Sequence, residues 1–400
     1  MFDPSVFFIY LYRRNFMEDN IYNIKSVRRP DGSIDGELLK RQIYKKYPKE
    51  ELADQLLKFY EQNLDISDSY LTDAGASTSK ISIHFMRENQ YKAKNARAKY
   101  SPDEVLNDEE LLKIAFEKID KKPDYYNQGS DAMNFVSFIT NEASFVSKVA
   151  IFSSNLARKI YEKYCPTFYA NIHDSSCGWA NRCVGAIASK YGYNYYGTDP
   201  NSENHKAYNE IADFVRDTLH TDNVTDFRCC GSEIFIPEWE GKMDLSFTSP
   251  PYFNTEKYSS EVTQSAAKCD NYYSWRDDFM RPTIQNVYRY LKPGAYYLLN
   301  LKNLTPAFGS FPALNDWAVV AQQEGFILEG IDIMKYQSQR QFGTSKKTGK
   351  KRKVNFTGGK EPVLVLRKPN IGEELPQPQI LIPNTIDKTW ENRKKLKIGE

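Results

Sequence analysis

Four consecutive residues, Ser249-Pro250-Pro251-Tyr252, combine hydrogen-bond acceptors with an aromatic ring. Each proline fixes its own φ at about −65°, and Pro250 also keeps Ser249 extended. The Ser249 hydroxyl, the Pro250 carbonyl and the Tyr252 ring are therefore held in one rigid arc. Such an arc can accept both hydrogens of an amino group on a flat ring, stack on that ring and hold the nitrogen for attack. A plain loop connector is the simpler interpretation, and the four residues alone leave both open.

Two patterns indicate the elements that position these residues. The apolar run from Leu245 to Phe247 predicts a short buried strand, which must end at the prolines because they offer no N–H to a neighbouring strand. Upstream, a strand runs into the turn Asp174-Ser-Ser-Cys-Gly178, and a helix and a second strand follow, the strand ending at Asp199-Pro200. An acid about 20 residues after a glycine turn is typical of a nucleotide-type βαβ unit.

Together the two motifs resemble those of the S-adenosylmethionine-dependent amino-methyltransferases that act on adenine N6 or cytosine N4 in DNA. The resemblance covers about residues 150–368. It implies an α/β, Rossmann-like class I methyltransferase fold, with a mostly parallel seven-stranded sheet, an antiparallel last strand and an N-terminal helical region. It also implies S-adenosyl-L-methionine as the cofactor and DNA as the substrate, with the target base flipped out of the helix.

The resemblance assigns a role to each motif. Ser249, Pro250, Pro251 and Tyr252 would hold the base, Asp174 would lie near the amino acid part of the cofactor, and Asp199 would bind the ribose hydroxyls. The full set of implied cofactor contacts is Ser154, Asn155, Asp174, Ser175, Gly178, Asp199, Pro200, Ser232 and Glu233. The simpler alternatives are that Asp174 caps a helix and that Asp199-Pro200 opens a turn.

The first loop departs from the family pattern Asp-Pro-Phe-x-Gly-x-Gly, because Ala180 stands in place of the second glycine. This departure favours a catalytically inactive nucleic-acid-binding protein that retains the fold. An RNA or protein-glutamine amino-methyltransferase is a second alternative. Serine at the first position of the Ser-Pro-Pro-Tyr loop is commoner in cytosine-N4 enzymes, which favours cytosine slightly over adenine. No Pro-Cys pair is present for the 5-methylcytosine route.

The net charge is only +2, so a nucleic-acid surface requires local segregation of charge. Between Tyr336 and Lys360 there are eight basic residues and no acid. We therefore predict that this loop contacts DNA, which is favoured over RNA, although a solvated hairpin tip is the simpler alternative. The predicted contacts are Arg340, Lys346, Lys347, Lys350, Lys351, Arg352 and Lys353.

The composition divides the chain into three parts: a helical accessory region at 1–147, a catalytic domain at 148–368 and a tail at 369–400. The apolar run Val6–Tyr12 is too short to span a bilayer, and we see no signal peptide, so a soluble, cytoplasmic protein without membrane partners is expected. The six cysteines form no Cys-x-x-Cys pair, and no metal site is expected. Partner subunits and dimerisation are left open.

Overall fold

The structure is a computed structural model that describes residues 21–66, 71–142, 144–259, 261–304, 311–335, 340–344, 351–355, 360–381 and 398–399. At residues 124, 340–344, 351–355, 380–381 and 398–399 it describes the backbone alone. The chain forms two compact units. The first takes in residues 1–46, 87–149 and 341–354, and the second takes in residues 47–86, 150–340 and 355–400.

An eight-stranded sheet forms the centre of the second unit. In chain order its strands are β1 Leu71–Thr72, β2 Asn171–Asp174, β3 Asn194–Thr198, β4 Thr225–Arg228, β5 Met243–Thr248, β6 Leu291–Asn300, β7 Ile327–Lys335 and β8 Lys360–Arg367. Across the sheet the order is β1-β7-β8-β6-β5-β2-β3-β4. Strand β8 is antiparallel to both β6 and β7, and the other pairings are parallel. The predicted Rossmann-like α/β sheet with an antiparallel last strand is confirmed.

Strand β1 is the eighth strand, where the sequence predicts seven. Leu71 and Thr72 pair in parallel with Met334 and Lys335 at the edge of the sheet. They come from the region predicted to be a helical accessory region. Two residues are too few to show the alternating pattern of a strand, so only the contact with β7 reveals them.

The second unit contains helices beside its sheet. They are α1 Lys49–Glu61, α2 Ser79–Lys92, α3 Ser154–Tyr164, α4 Asn181–Ile187, α5 Ser202–Leu219, α6 Tyr272–Trp275, α7 Arg281–Tyr290 and α8 Ala313–Gln323. One of them, α2, has its residues 87–92 in the first unit. A π-helical stretch, Arg276–Met280, joins α6 to α7, and two 3-10 turns span Pro237–Trp239 and Ser265–Ala267. The Ser153 hydroxyl caps α3 by accepting from the Leu156 N–H at 3.4 Å.

A hydrophobic core on one side of this sheet supports the segment after β5. Trp239, Trp275 and Trp317 are each 1% exposed in it, packed with the apolar side chains of α7, α8 and β6. Tyr252 and Phe253 pack against the same core. Burial of such large aromatic side chains stabilises the sheet strongly, so the Ser-Pro-Pro-Tyr segment packs against a stable core.

The first unit is a group of short helices around its own core. Its helices span Gly36–Ile43, Pro102–Leu106, Glu109–Asp120, Pro123–Tyr126 and Asp131–Asn141. Their apolar faces meet at Leu39, Leu112, Phe116, Phe135 and Phe138, which are all buried. Asp35, Ser101, Asp108 and Ser130 cap four of these helices with their side chains. The predicted accessory region is therefore helical.

The boundaries of the units differ from the predicted division at 147/148. Residues 47–86 belong with the sheet, because β1 extends its edge and α1 packs against α5. The strands Arg340–Thr344 and Lys351–Asn355 pair with one another, and residues 341–344 and 351–354 of them group with the first unit. The remaining short strands are Lys94–Asn95, Glu256–Lys257, Ile380–Leu381 and Ile398–Gly399.

Three further features of the molecule are the state of its thiols, the grouping of possible metal ligands and the length and polarity of its helices. The six cysteines are free thiols, and Cys165, Cys177 and Cys183 are buried. Within the described residues, no three His, Cys, Asp or Glu side chains come together where a metal ion could bind. None of the helices in that same part of the chain has the length and apolar character needed to cross a membrane.

Candidate active site

Two loops meet at the carboxyl edge of the sheet. The first loop, residues 174–180, follows β2, and the proline loop, residues 249–252, follows β5. Strand β2 pairs in parallel with β5 on one side and with β3 on the other. Parallel strands end at the same edge, so both loops and Asp199 after β3 lie next to one another, where ligands bind in sheets of this kind.

Asp174 is fully buried at the end of β2 and is held by three donors. Its carboxylate accepts from Arg182 Nε at 2.7 Å, from the Tyr195 hydroxyl at 2.5 Å and from the Ser176 N–H at 3.0 Å. Burial alone would raise the pKa of Asp174, but the charge of Arg182 and these hydrogen bonds lower it below its usual value. Asp174 is therefore a carboxylate in a buried ion pair, and its side chain does not cap α4.

The turn of the first loop keeps the glycine-like backbone of the family pattern. Gly178 has φ of +57° and Ala180 has φ of +62°, both in the left-handed region. Ala180 stands where the family has its second glycine, and an alanine adopts this conformation at a cost of roughly 1–2 kcal/mol. The loop thus retains its shape although the residue differs.

Asp199 connects β3 to the first loop. Its two carboxylate oxygens accept from the Gly178 N–H and the Asn201 N–H, both at 2.9 Å. Burial raises the pKa of Asp199, because these amides and nearby His205, whose Nε2 lies 2.8 Å from the Asp199 carbonyl oxygen, only partly offset the loss of hydration. A carboxylate has about four acceptor positions, so Asp199 can still accept from hydroxyl donors of a ligand.

Several buried polar atoms at this edge have no hydrogen-bond partner within the described part of the chain. Ser175 Oγ lies just after β2, Thr248 Oγ1 ends β5, and Asn181 Oδ1 and Asn201 Oδ1 follow the first loop and β3. Buried polar atoms are nearly always paired in folded proteins. Unpaired atoms concentrated at one edge fit a polar ligand bound there, and the cofactor predicted from the sequence is such a ligand.

Four of the predicted cofactor-binding residues form side-chain bonds with residues elsewhere in the chain. Ser154 Oγ accepts from Thr78 at 2.7 Å, and Asn155 bonds to Gln62 and to the Ala76 carbonyl. Ser232 contacts Thr283 at 2.8 Å in α7.

Glu233 is the fourth residue with such a partner. It forms an ion pair with Lys268, although its Oε2 atom is buried and unpaired. The roles of Ser154, Asn155, Ser232 and Glu233 toward the cofactor stay predictions.

The proline loop places Tyr252 beside the end of β6. The Tyr252 hydroxyl donates to the Asn300 carbonyl at 3.2 Å, which fixes the ring at the edge of the sheet. Burial raises the pKa of the Tyr252 phenol, the negative charges of Glu361 and Glu256 act in the same direction, and the Ser249 hydroxyl acts against them. The phenol therefore stays neutral, and Ser249 lies within reach of it.

Two acids beside this loop are not predicted from the sequence. Glu256 accepts from the Tyr258 hydroxyl at 2.5 Å, and burial raises the pKa of its carboxyl. Glu361 forms an ion pair with Lys302 at 3.0 Å. No motif marks either acid, and Glu361 reaches the site only because β8 pairs with β6.

The polar stretch after the proline loop contacts residues that follow β3 and residues that belong to the first loop. Glu261 accepts from the Ser202 hydroxyl at 2.6 Å at the start of α5, and Thr263 donates to the Pro200 carbonyl at 3.3 Å. The rings of Tyr258 and Trp179 lie 6.4 Å apart. These contacts cover the region that contains Asp199.

The predicted DNA contacts of the basic loop lie outside the side chains that the structure describes. Arg340, Lys351, Arg352 and Lys353 belong to strands whose backbone alone is described. Lys346, Lys347 and Lys350 lie outside the described residues altogether. Their contact with DNA stays a prediction.

One part of the chain matches a family model of known proteins. Residues 243–398 match the family model described as DNA methylase, in the group that methylates N6 and N4 amino groups. This range begins at β5 and includes the proline loop. This part of the chain is therefore similar to DNA methylases of the adenine-N6/cytosine-N4 group. The similarity supports the S-adenosylmethionine-dependent methylation of amino groups in DNA that the Ser-Pro-Pro-Tyr motif predicts.

Solved structures give only partial likenesses. An S-adenosylmethionine-dependent O-methyltransferase from Thermotoga maritima aligns at 11% identity over 56% of this chain and 69% of that one, with a TM-score of 0.35. A geranyl diphosphate methyltransferase in complex with S-adenosylmethionine aligns at 12% identity over 54% and 85%, also at 0.35. TrmN from Thermus thermophilus aligns at 15% identity over 54% and 49%, at 0.32. No curated protein matches the chain. The fold assignment of this chain rests on its own sheet topology.

Proposed function

We propose that this protein is a DNA methylase that transfers a methyl group from S-adenosylmethionine to the exocyclic amino nitrogen of a base held by the proline loop, with cytosine N4 favoured over adenine N6. The observation that carries the proposal is the adjacency of the two loops on paired strands β2 and β5. Ser249 at the head of the proline loop favours cytosine. The proposal goes beyond the match to the DNA methylase model, which leaves the base open.

The first loop and the end of β3 fit the cofactor. Gly178 approaches the ligand with its backbone, Asp199 accepts from ribose hydroxyls, and Ser175 and Asn201 offer the unpaired buried oxygens. When bound, S-adenosylmethionine supplies an electrophilic methyl group on a positively charged sulfur. The residues of the chain bind and orient this cofactor.

The proline loop acts on the amino nitrogen. Its lone pair is delocalised into the base, so Ser249 Oγ and the Pro250 carbonyl favour a more nucleophilic nitrogen by accepting its two hydrogens. Tyr252 stacks on the base. Positive charge develops on the nitrogen in the transition state, and the carboxylates of Glu256 and Glu361 near Tyr252 favour that charge.

The proposal is tested by incubating the protein with methyl-labelled cofactor and separate pools of DNA, RNA and protein. Mass spectrometry of digested nucleosides should find N4-methylcytosine in DNA. Ser249→Ala should lower its formation, whereas Tyr169→Ala should not, because Tyr169 is 69% exposed and lies before β2 at the opposite edge of the sheet. N6-methyladenine would reverse the base assignment, and label only in RNA or protein would reject DNA as the substrate.

A second proposal concerns the basic loop at 337–360. Its eight positive charges without an acid support a contact with the phosphate backbone of DNA. Replacing Lys350, Lys351, Arg352 and Lys353 with serine should weaken DNA binding at moderate salt and lower its salt slope by about 0.9 for each lost phosphate contact. Cofactor affinity should not change. Wild-type DNA affinity and salt slope in this variant would identify the loop as solvated surface.

A further inference from the structure

Arg182 is a buried cation in the active site that the sequence does not single out. It lies in the first turn of α4, directly after the first loop, and its side chain is 6% exposed. Its Nε donates to Asp174 Oδ2 at 2.7 Å, and its Nη2 donates to Asp174 Oδ1 at 3.4 Å and to the Ser176 carbonyl. The guanidinium is therefore held rigidly at the end of β2.

These bonds leave part of the guanidinium free. An arginine side chain has about five N–H donors, of which Nη1 carries two. Neither Nη1 donor of Arg182 has a partner among the described residues. Arg158, a second buried arginine in the same unit, serves as a comparison: its Nε pairs with Glu162, and its Nη1 donates to the carbonyls of Phe59 and Tyr60, outside the two loops.

The charge of Arg182 is felt in the proline loop and in the segment beyond it. The Phe152 ring covers the guanidinium at 5.4 Å. The positive charge of Arg182 also acts on the phenols of Tyr252 in the proline loop and Tyr258 in the segment beyond it, lowering the pKa of each against the opposite effect of burial. Arg182, directly after the first loop, therefore interacts electrostatically with residues of the proline loop and beyond it.

The chemistry of such a donor pair selects its ligand. A fixed planar guanidinium with two unused N–H groups matches a carboxylate, and hydrogen bonds between ions are about twice as strong as neutral ones. Asp174 neutralises the net charge of Arg182, but the Tyr195 hydroxyl and the Ser176 N–H also donate to Asp174 and spread its negative charge. An anionic group at Nη1 is therefore attracted.

We propose that Arg182 Nη1 binds the carboxylate of the amino acid part of the cofactor, with Asp174 as the residue that holds the guanidinium in position. The proposal rests on the proposed function of the first loop as the cofactor site. It deepens that function by assigning a specific anchor to the end of the cofactor remote from the adenine ring.

The test uses two ligands that differ only in the carboxylate: S-adenosylhomocysteine and its decarboxylated analogue. Calorimetry should show that the wild-type protein binds S-adenosylhomocysteine about 10- to 100-fold more tightly than the analogue. In Arg182→Lys this ratio should fall toward one, because a single ammonium group that pairs with Asp174 lacks the second arm of the fork. The analogue itself should bind both proteins about equally.

Arg158→Lys is the matched control, because it makes the same change in an equally buried ion pair. It should leave the ligand ratio at the wild-type value. A wild-type ratio near one would overturn the role of Arg182 even if Arg182→Lys fails to fold, and an unchanged ratio in a folded Arg182→Lys would do the same. Failure of the wild-type protein to bind either ligand would instead overturn the proposed cofactor site.

Discussion

The first loop and the proline loop lie side by side, yet they are held in place by different means. The first loop is fixed by side chains from other elements: Arg182 and Tyr195 hold Asp174, and Asp199 accepts from the Gly178 N–H. The proline loop is fixed mainly by the rings of its own prolines, with one hydrogen bond from Tyr252 to Asn300. Rigidity in the first loop is tertiary, and in the second it is covalent.

This difference separates stability from chemistry. A change in the polar residues of the first loop disrupts a buried network, so it affects the fold together with cofactor binding. A change at Ser249 leaves the prolines and the packed Tyr252 ring in place, so it affects the base with little effect on the fold. The comparison predicts two classes of variant from residues that are neighbours in space.

The largest expected effect is on stability, in Asp174→Ala. Removing one partner of a buried ion pair leaves Arg182 uncompensated, which should lower the free energy of unfolding by about 3–5 kcal/mol. Denaturant unfolding measures it. Asp213→Ala is the control, since Asp213 is 65% exposed and pairs with Arg216 on the surface, where such pairs contribute about 0–1 kcal/mol. Equal effects of the two changes would contradict the buried network.

The next effect is on chemistry, in Tyr252→Ala. Loss of the stacking ring should weaken the complex with the target base by about 1–3 kcal/mol. Methylation at low DNA concentration should fall about 10- to 100-fold, while the affinity for S-adenosylmethionine stays at the wild-type value. DNA methylation at the wild-type rate would show that the ring does not stack on the base.

Parts of this fold follow directly from the sequence. Pro48 ends one helical pattern and begins another, and the helices Gly36–Ile43 and Lys49–Glu61 lie on either side of it. The apolar run around Leu245 becomes β5, stopped by Pro250. These signals are local, because proline and apolar runs constrain the chain within a few residues. Strand β1 and residues 47–86 could not be assigned, since their place depends on β7, far along the chain.

The residues of the candidate site also divide into those that a local motif marks and those that it does not. The Ser-Pro-Pro-Tyr residues and Asp199 are marked by motifs with fixed spacing. No motif spacing marks Arg182, Glu256 or Glu361. The first turn of α4 places Arg182 in the site, and the pairing of β8 with β6 places Glu361 there. The resemblance to the amino-methyltransferases places Asp174 near the cofactor. No sequence motif indicates that Arg182, eight residues later, is the partner of Asp174.

The smallest effect is on pH dependence, at Asp199. Burial raises the pKa of this carboxyl in the free protein, and hydroxyl donors of a bound cofactor favour the ionised form. Cofactor affinity should therefore be constant at neutral pH and fall as the pH drops through the raised pKa. Asp174 does not contribute in this range, because its pKa is already lowered. Calorimetry from neutral to acidic pH checks this, and an affinity that rises on acidification would contradict it.

The central claim is the division of labour between the loops, with the cofactor at the first and the base at the second. Calorimetry of S-adenosylmethionine binding to Asp199→Ala and Tyr252→Ala, measured side by side, tests it most directly. The account predicts that Asp199→Ala weakens cofactor affinity about tenfold or more, as expected for lost bonds to a carboxylate, while Tyr252→Ala binds like wild type. Unchanged affinity in Asp199→Ala, or an equal loss in both variants, would contradict it.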